Sequence, residues 1–280
     1  MREINAAEIS IAVEKLVLDA SFYLPLDVSA ALDAGFLAEK SEIGKASLCD
    51  LVENRDLAAA ERLPLCQDTG MAIVFCEFGQ DVHIIGGAFE DAINEGVRRG
   101  YVDGFMRLSI VADPLRRKNT DTNTPAVIHT RVVPGELLKI TLAPKGFGSE
   151  NMSAIKMFNP TATPDEICDF IASVAIDGGA NPCPPVILGV GLGGSLDSAA
   201  VAAKRALTIP LDLPNPDEFY AEMEKKILDK INASGVGPMG LGGCVSALGV
   251  RIIPLATHIA GLPCVVNVCC HCARHAEVTL

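Results

Sequence analysis

Apolar positions recur at helical spacing through the first sixty residues. Ile9, Val13, Leu16, Val17 and Ala20 fall on one face of a helix. Leu32, Phe36 and Leu37 repeat the pattern in a second helix, and Ala46, Leu51 and Val52 suggest a third. After Gly70 the period changes. Residues 71–78 and 82–85 read as short strands broken at Gly79, and 91–99 as a helix. The stretch 113–125 is crowded with Asn, Thr and Asp and reads as a loop long enough to serve a function. Two β-rich runs follow, 126–133 and 137–142, and Pro134-Gly135 between them is a hairpin signal. Beyond a Gly-rich loop, 164–176 reads as a helix. Residues 185–190 form a buried strand that runs through Gly191-Leu192-Gly193-Gly194 into a helix at 197–207. Residues 218–231 make an amphipathic helix, and 247–253 and 265–268 close the chain as strands. The expected fold class is α/β: a helical N-terminal section over about 1–62, then a mixed α/β domain with a central sheet, all in one domain spanning 1–280.

Hydrophobic residues make up 49% of the 280 and mean hydropathy is +0.33, which supports a large packed core and excludes intrinsic disorder. Trp is absent, so Ala, Val, Ile and Leu must build that core. No apolar run approaches a membrane span, and the first twenty residues carry acids throughout, unlike a signal peptide; a cytoplasmic location is expected. A net charge of −12 argues against nucleic-acid or membrane-surface binding. An anionic substrate would then need local Arg groups to override the global field. Ten cysteines without the spacing of a small disulfide scaffold read as thiols kept reduced for a metal, with several serving as buried hydrophobes.

Five places carry residues suited to chemistry. Leu65-Cys66-Gln67-Asp68-Thr69-Gly70 sets a potential thiolate ligand beside an amide and a carboxylate; an ordinary helix-to-strand turn is the plain alternative. In Pro182-Cys183-Pro184-Pro185 the prolines fix the backbone around a cysteine, as a metal ligand or a stiff strand entry requires. Cys269-Cys270-His271-Cys272-Ala273-Arg274-His275 is the densest ligand cluster, without the partner CxxC of a structural zinc site. Lys145-Gly146-Phe147-Gly148-Ser149-Glu150-Asn151 could present backbone N–H groups to an anion, and Gly191–Gly194 has a related look; a tight turn explains either. Arg107 can clamp a carboxylate and His258 can serve as an acid/base, although a lone Arg is commonly a solvated surface group and a lone His structural.

In order along the chain, Leu65-Cys66-Gln67-Asp68-Thr69-Gly70, Asn123-Thr124-Pro125-Ala126, Gly148-Ser149-Glu150-Asn151, Asn181-Pro182-Cys183-Pro184-Pro185 and Gly237-Pro238-Met239-Gly240-Leu241-Gly242-Gly243 match one family. The chain resembles the α subunit of two-subunit class I (iron–sulfur) fumarate hydratases and their relative, L(+)-tartrate dehydratase. The resemblance implies a [4Fe–4S] cluster on three cysteines with one open iron acting as Lewis acid. Its ligands would be Cys66, Cys183 and a cysteine of the C-terminal run. Cys270 fits that third place best, with His271 where the family has an aromatic residue and His275 where it has a second Arg; Cys269 and Cys272 stay open as alternatives. By the same resemblance Gln67, Arg107 and Gly148 bind substrate, and Asp68 and His258 belong to the acid/base apparatus. Phe147 stands where the family more often has a small residue.

The implied reaction is reversible hydration of fumarate to malate, with L(+)-tartrate dehydration as the runner-up. Single-chain relatives continue into a second domain that contributes to the site. Nothing here resembles it, so a separate β subunit and a higher oligomer are expected, with a small dicarboxylate as substrate. A zinc or thiol-redox protein is the rival of another class; it accounts for residues 269–272 but not for Cys66-Gln67-Asp68.

Overall fold

The computed structural model describes the whole chain, Met1–Leu280. In order, its elements are β1 (Arg2–Asn5), α1 (Ala6–Phe22), α2 (Leu26–Ala38), α3 (Glu42–Glu61), β2 (Met71–Gly79), β3 (Val82–Ile85), α4 (Phe89–Val102), β4 (Val127–Val133), β5 (Leu138–Lys145), α5 (Phe147–Glu150), β6 (Ala154–Phe158), α6 (Pro164–Gly178), β7 (Val186–Gly193), α7 (Leu196–Ala206), α8 (Glu218–Asn232), β8 (Ala247–Leu255), β9 (Leu262–Cys269) and β10 (Ala276–Thr279). α1 buries Ile9, Val13, Leu16, Val17 and Ala20 as their spacing predicts; α2 and α3 form where expected, but Leu37 and Ala46 of their expected apolar faces are exposed. No helix is long and apolar enough to cross a membrane.

The chain divides into two compact units. The first comprises Met1–Pro25, Arg55–Phe147 and Arg274–Leu280. It holds a four-stranded sheet in the order β10-β5-β2-β4 and a parallel pair, β1 with β3. β4 and β5 do not form the hairpin that Pro134-Gly135 suggested. β2 lies between them, parallel to β4 and antiparallel to β5. The physical reason is visible at the turn. Gly79, Gln80 and Asp81 donate their N–H groups to Leu137, Val133 and Gly135 carbonyls, so the end of β2 occupies the mouth of the would-be hairpin. β2 and β5 are both largely buried whereas β4 is not, and between two neighbours the apolar run of β2 is sheltered on both faces. Ile9, Val13 and Val17 of α1 meet Ile93, Val97 and Tyr101 of α4 over Val74, Leu138, Ile140 and Leu142. Each such fully buried side chain contributes about 1.5–3 kcal/mol relative to exposure.

The second unit comprises Leu26–Asn54 and Gly148–Ala273. Its sheet runs β6-β9-β7-β8, with β7 parallel to β8 and antiparallel to β9. β7 is buried along its whole length. Its alternate residues Val186, Leu188 and Val190 pack with Ile167 and Ile171 of α6 and Ile227 and Ile231 of α8. Its other face receives α7, and there the strand must be glycine: a Cβ on Gly191 would lie 2.0 Å from the Ala199 carbonyl oxygen. Gly191 thus serves helix-on-strand packing, and a Cβ on Gly193 would lie 2.3 Å from the Leu255 carbonyl oxygen of β8. Thr163 caps α6 through a full capping box with Glu166, and Pro164 opens the first turn. Leu32 of α2 and Leu48 of α3 pack with Val245.

Candidate active site

In the first unit the chain leaves α3 and crosses to β2 through the Cys66–Gln67–Asp68 loop. The Leu65 N–H donates to the Ser21 carbonyl at the end of α1 (2.9 Å), and the Leu65 side chain is buried, so the loop is tied down before the cysteine. Cys66 is half-buried and its thiol donates to Gln67 Oε1 at 3.3 Å; Gln67 itself is exposed. Asp68 is half-buried with both carboxylate oxygens engaged: Oδ1 accepts from Gly70 N–H at 3.0 Å and Oδ2 from Phe147 N–H at 2.8 Å. One backbone N–H of the 145–151 loop, that of Phe147, is thus taken by this chain's own Asp68 side chain. Gly70 has φ +82°, and a Cβ there would lie 2.8 Å from the Lys145 carbonyl carbon, so no other residue lets β2 and β5 approach beneath Asp68.

Buried polar groups brace this loop from behind. Arg274 Nη2 donates to the Asp68 carbonyl, and its guanidinium is almost wholly buried. Its Nε and Nη1 find no acceptor within the protein. The Tyr101 hydroxyl, fully buried at the end of α4, donates to the Thr69 carbonyl at 2.9 Å. Burial drives that phenol's pKa well up; nearby Arg274 offsets this in part and Asp68 adds to it. Arg107 lies in the irregular stretch after α4, its side chain exposed and its carbonyl accepting from the Thr69 hydroxyl at 2.9 Å.

In the second unit Cys183 sits half-buried between the buried Pro182 and Pro184. Its backbone is left-handed, φ +56°, a conformation that costs a non-glycine residue about 1–2 kcal/mol. Such strain persists where surroundings over-determine it. Here the Cys183 N–H donates to Ala180 and the Met239 N–H to Pro184, both carbonyls. The Cys183 carbonyl also lies 3.1 Å from His271 Nδ1, which brings it together with the C-terminal cysteine run. Within that run Cys269 ends β9 and is buried, Cys272 is buried, and Cys270 is half-buried between them. The Cys270 thiol is held well below the ordinary cysteine range because the Cys269 and Cys272 thiols donate to it; burial opposes the effect and His271 reinforces it. Gly148 is exposed in the short α5. His258 lies in an exposed turn, its Nδ1 accepting from Ala260 N–H at 3.1 Å.

No three His, Cys, Asp or Glu side chains converge as a single ion would require. An iron–sulfur cluster asks something different: one thiolate for each of several separate irons, and N–H donors near its sulfurs. None of the ten cysteines is in a disulfide. Within the second unit Cys183 and Cys270 are half-buried thiols joined through His271, and within the first Cys66 is a half-buried thiol; thiols of this kind are what such a cluster takes as ligands. Sequence spacing singled out the cysteines, Asp68 and the Arg274 run. It did not disclose Thr69 or Tyr101 as supports, because their hydrogen bonds join residues far apart in the chain.

The chain is thus an α/β protein with ten free thiols and a carboxylate fixed beside one of them. The family model described as Fumarate hydratase (Fumerase) matches residues 10–279. A "Putative L(+)-tartrate dehydratase subunit alpha" from Methanocaldococcus jannaschii is 39% identical over 272 residues, covering 95% of this chain and 94% of that protein. The L(+)-tartrate dehydratase subunit alpha of Escherichia coli (strain UTI89 / UPEC) is 28% identical over 265 residues, 91% of this chain and 87% of its own. That of Shigella boydii is 27% identical over the same length. The chain belongs to the fumarate hydratase (Fumerase) family. Its enzyme class is hydro-lyase.

Proposed function

We propose that this chain is the α subunit of an iron–sulfur hydro-lyase that reversibly hydrates fumarate to malate, working in the cytoplasm in a heteromer with a separate β subunit. The observation that carries this is the loop that sets the Cys66 thiol two residues from a carboxylate locked by Gly70 and Phe147 N–H groups. Cys66, Cys183 and Cys270 would hold a [4Fe–4S] cluster, which when bound supplies a Lewis-acidic iron. Residues 1–280 together form the cluster-bearing half of the enzyme.

Arg107 pairs with a substrate carboxylate through its planar fork and supplies positive charge where the net charge of −12 disfavours an anion. Gln67 and the exposed backbone at Gly148 orient the remainder of the dicarboxylate. Asp68 keeps a single orientation because both its oxygens are bonded to the backbone, which preorganises it to exchange a proton at a fixed place. His258, whose Nδ1 accepts from the Ala260 N–H, carries its proton on Nε2 and presents that N–H as the donor of its acid/base role.

The names of the relatives at 39% and 28% identity favour a second reading, L(+)-tartrate as substrate. The test is anaerobic. The chain is purified with its β partner, loaded with iron and sulfide, and assayed on fumarate, malate and L-tartrate. Turnover of fumarate and malate that disappears with Cys66→Ala, Cys183→Ala and Cys270→Ala supports the first reading. Turnover of L-tartrate alone selects the second. Bound zinc without acid-labile sulfide would overturn both in favour of a zinc or thiol-redox protein.

A further inference from the structure

Residues 107–109 have no regular secondary structure, and Arg107 and Ser109 are exposed. Water could satisfy such a segment. Instead, side chains claim its backbone one residue at a time. The Thr69 hydroxyl donates to the Arg107 carbonyl (2.9 Å), Asn119 Nδ2 to the Leu108 carbonyl (2.9 Å), and Ser109 N–H donates to Asn123 Oδ1 (2.7 Å). Backbone pairing with the following loop begins only at Ile110, whose carbonyl accepts from Thr120 N–H. Thr69 is 2% exposed and Asn123 0%. Burying these polar groups is worthwhile only because each finds its partner. The far end of Asn123 is equally engaged: Nδ2 donates to the Gly70 carbonyl at 3.1 Å. Tyr101 holds the Thr69 carbonyl on the other side. Asn123 adopts φ +54°, a left-handed conformation that Asn tolerates better than most residues, which aims its amide between the two segments.

We propose that Thr69, Asn119 and Asn123 are positioning residues, a clamp that fixes Arg107 relative to Asp68 so that both meet one dicarboxylate. Thr69 and Gly70 follow Asp68 directly in the chain, so the Thr69 bond and the two Asn123 bonds tie the Arg107 segment to the Asp68 loop, while Asn119 holds the same segment to the 113–125 loop. The clamp explains the polar 113–125 loop: its length carries Asn119 and Asn123 back under the arginine. The inference rests on the role of Arg107 as the carboxylate-binding group.

The experiment measures the Kd of fumarate, by calorimetric titration under anaerobic conditions, on the loaded two-subunit enzyme. Thr69→Val removes the hydroxyl and is expected to weaken binding ~10-fold, the scale on which a displaced positioned group loses effect. Thr69→Ser restores the donor and is expected within ~2-fold of the native protein on the same scale. Asn123→Asp keeps a side chain that tolerates the left-handed backbone but cannot donate to Gly70, and should behave like Thr69→Val. Iron content and Tm are read alongside. The decisive comparison is Arg107→Met with and without Thr69→Val. If the clamp acts through Arg107, the double variant binds fumarate like Arg107→Met alone, within ~2-fold. Additive losses, or a Tm drop in Thr69→Val and Asn123→Asp with unchanged Kd, would overturn the clamp while leaving Arg107 in its role. Unchanged Kd in Arg107→Met would overturn the carboxylate role, and the clamp would fall with it.

Discussion

Glu39 is 1% exposed, at the end of α2, and nothing in its sequence context marks it. Its carboxylate accepts N–H groups from Lys40 and Ser41 on its own segment and from Cys244 and Val245 just past the Gly237–Gly243 run. Burial alone would raise its pKa, but these backbone donors outweigh it and hold the group below the usual carboxylate range. Glu39→Gln is nearly isosteric and replaces one oxygen with an NH2. In the better amide orientation, with oxygen kept toward Lys40 and Ser41, the Cys244 N–H retains its 3.1 Å bond to that oxygen, but the Val245 N–H then faces another donor. One hydrogen bond to a charged group is lost outright, worth about 1.5–3 kcal/mol, and the bonds that remain lose their charge. The expected loss is at the upper end, about 3 kcal/mol, or about 6–10 °C in Tm at this chain length. The sign with pH follows from the lowered pKa. The native advantage is complete above the unfolded carboxylate value of about 4.3 and fades as pH falls through the lower folded value. Thermal and urea unfolding of both proteins from neutral to acid pH would show the gap closing on the acid side. Equal stability at neutral pH would refute the reasoning, as would a gap that persists in acid.

The other expectations are more local. Cys270→Ser should lose bound iron and acid-labile sulfide on reconstitution, whereas Cys269→Ala and Cys272→Ala keep most of both; equal loss in all three would remove Cys270 from its special place. Asp68→Asn should lower kcat by about 10²–10⁴ with iron content intact, as loss of an acid/base group does, and an unaltered kcat would move the proton transfer elsewhere. Gly191→Ala forces a methyl onto the Ala199 carbonyl and should cost about 1–3 kcal/mol or more by overpacking, read as a lowered urea midpoint with substrate affinity unchanged; a neutral effect would mean α7 can shift off the strand.

What was legible in the sequence was whatever repeats or clusters locally. The apolar spacing of α1, the amphipathic α8 and the continuous run of β7 all record burial along one segment, and each formed close to the expected bounds. The cysteine run and the Cys66-Gln67-Asp68 loop were visible because their residues are neighbours in the chain. The hairpin was misread because Pro134-Gly135 reports only a reversal of direction. Whether the two limbs pair or admit a third strand depends on β2, more than fifty residues before the turn. β6 was not anticipated because its exposed face carries Ile155 and Met157, so the alternation that marks a half-buried strand is missing. Phe147 passed as an oddity in a glycine loop, although the group that matters there is its N–H, which every residue but proline possesses.

The supports of the site follow the same logic. A side chain that touches substrate must be a particular chemical type, and type is what a sequence displays. Support comes from position. Thr69, Tyr101 and Asn123, all buried, and half-buried Asn119 are unremarkable residues made effective by the carbonyl or N–H each one meets. The same holds for Arg274, whose Nη2 donates to a peptide carbonyl rather than to a carboxylate. Exposed Arg107 and half-buried Asp68 can therefore sit on irregular backbone and still be held in place, because fully buried polar partners fix the main chain on either side of them. Loss of a partner from this set should then be felt first as a loosening of Arg107 and Asp68, with the chain still folded and its cysteines still in place.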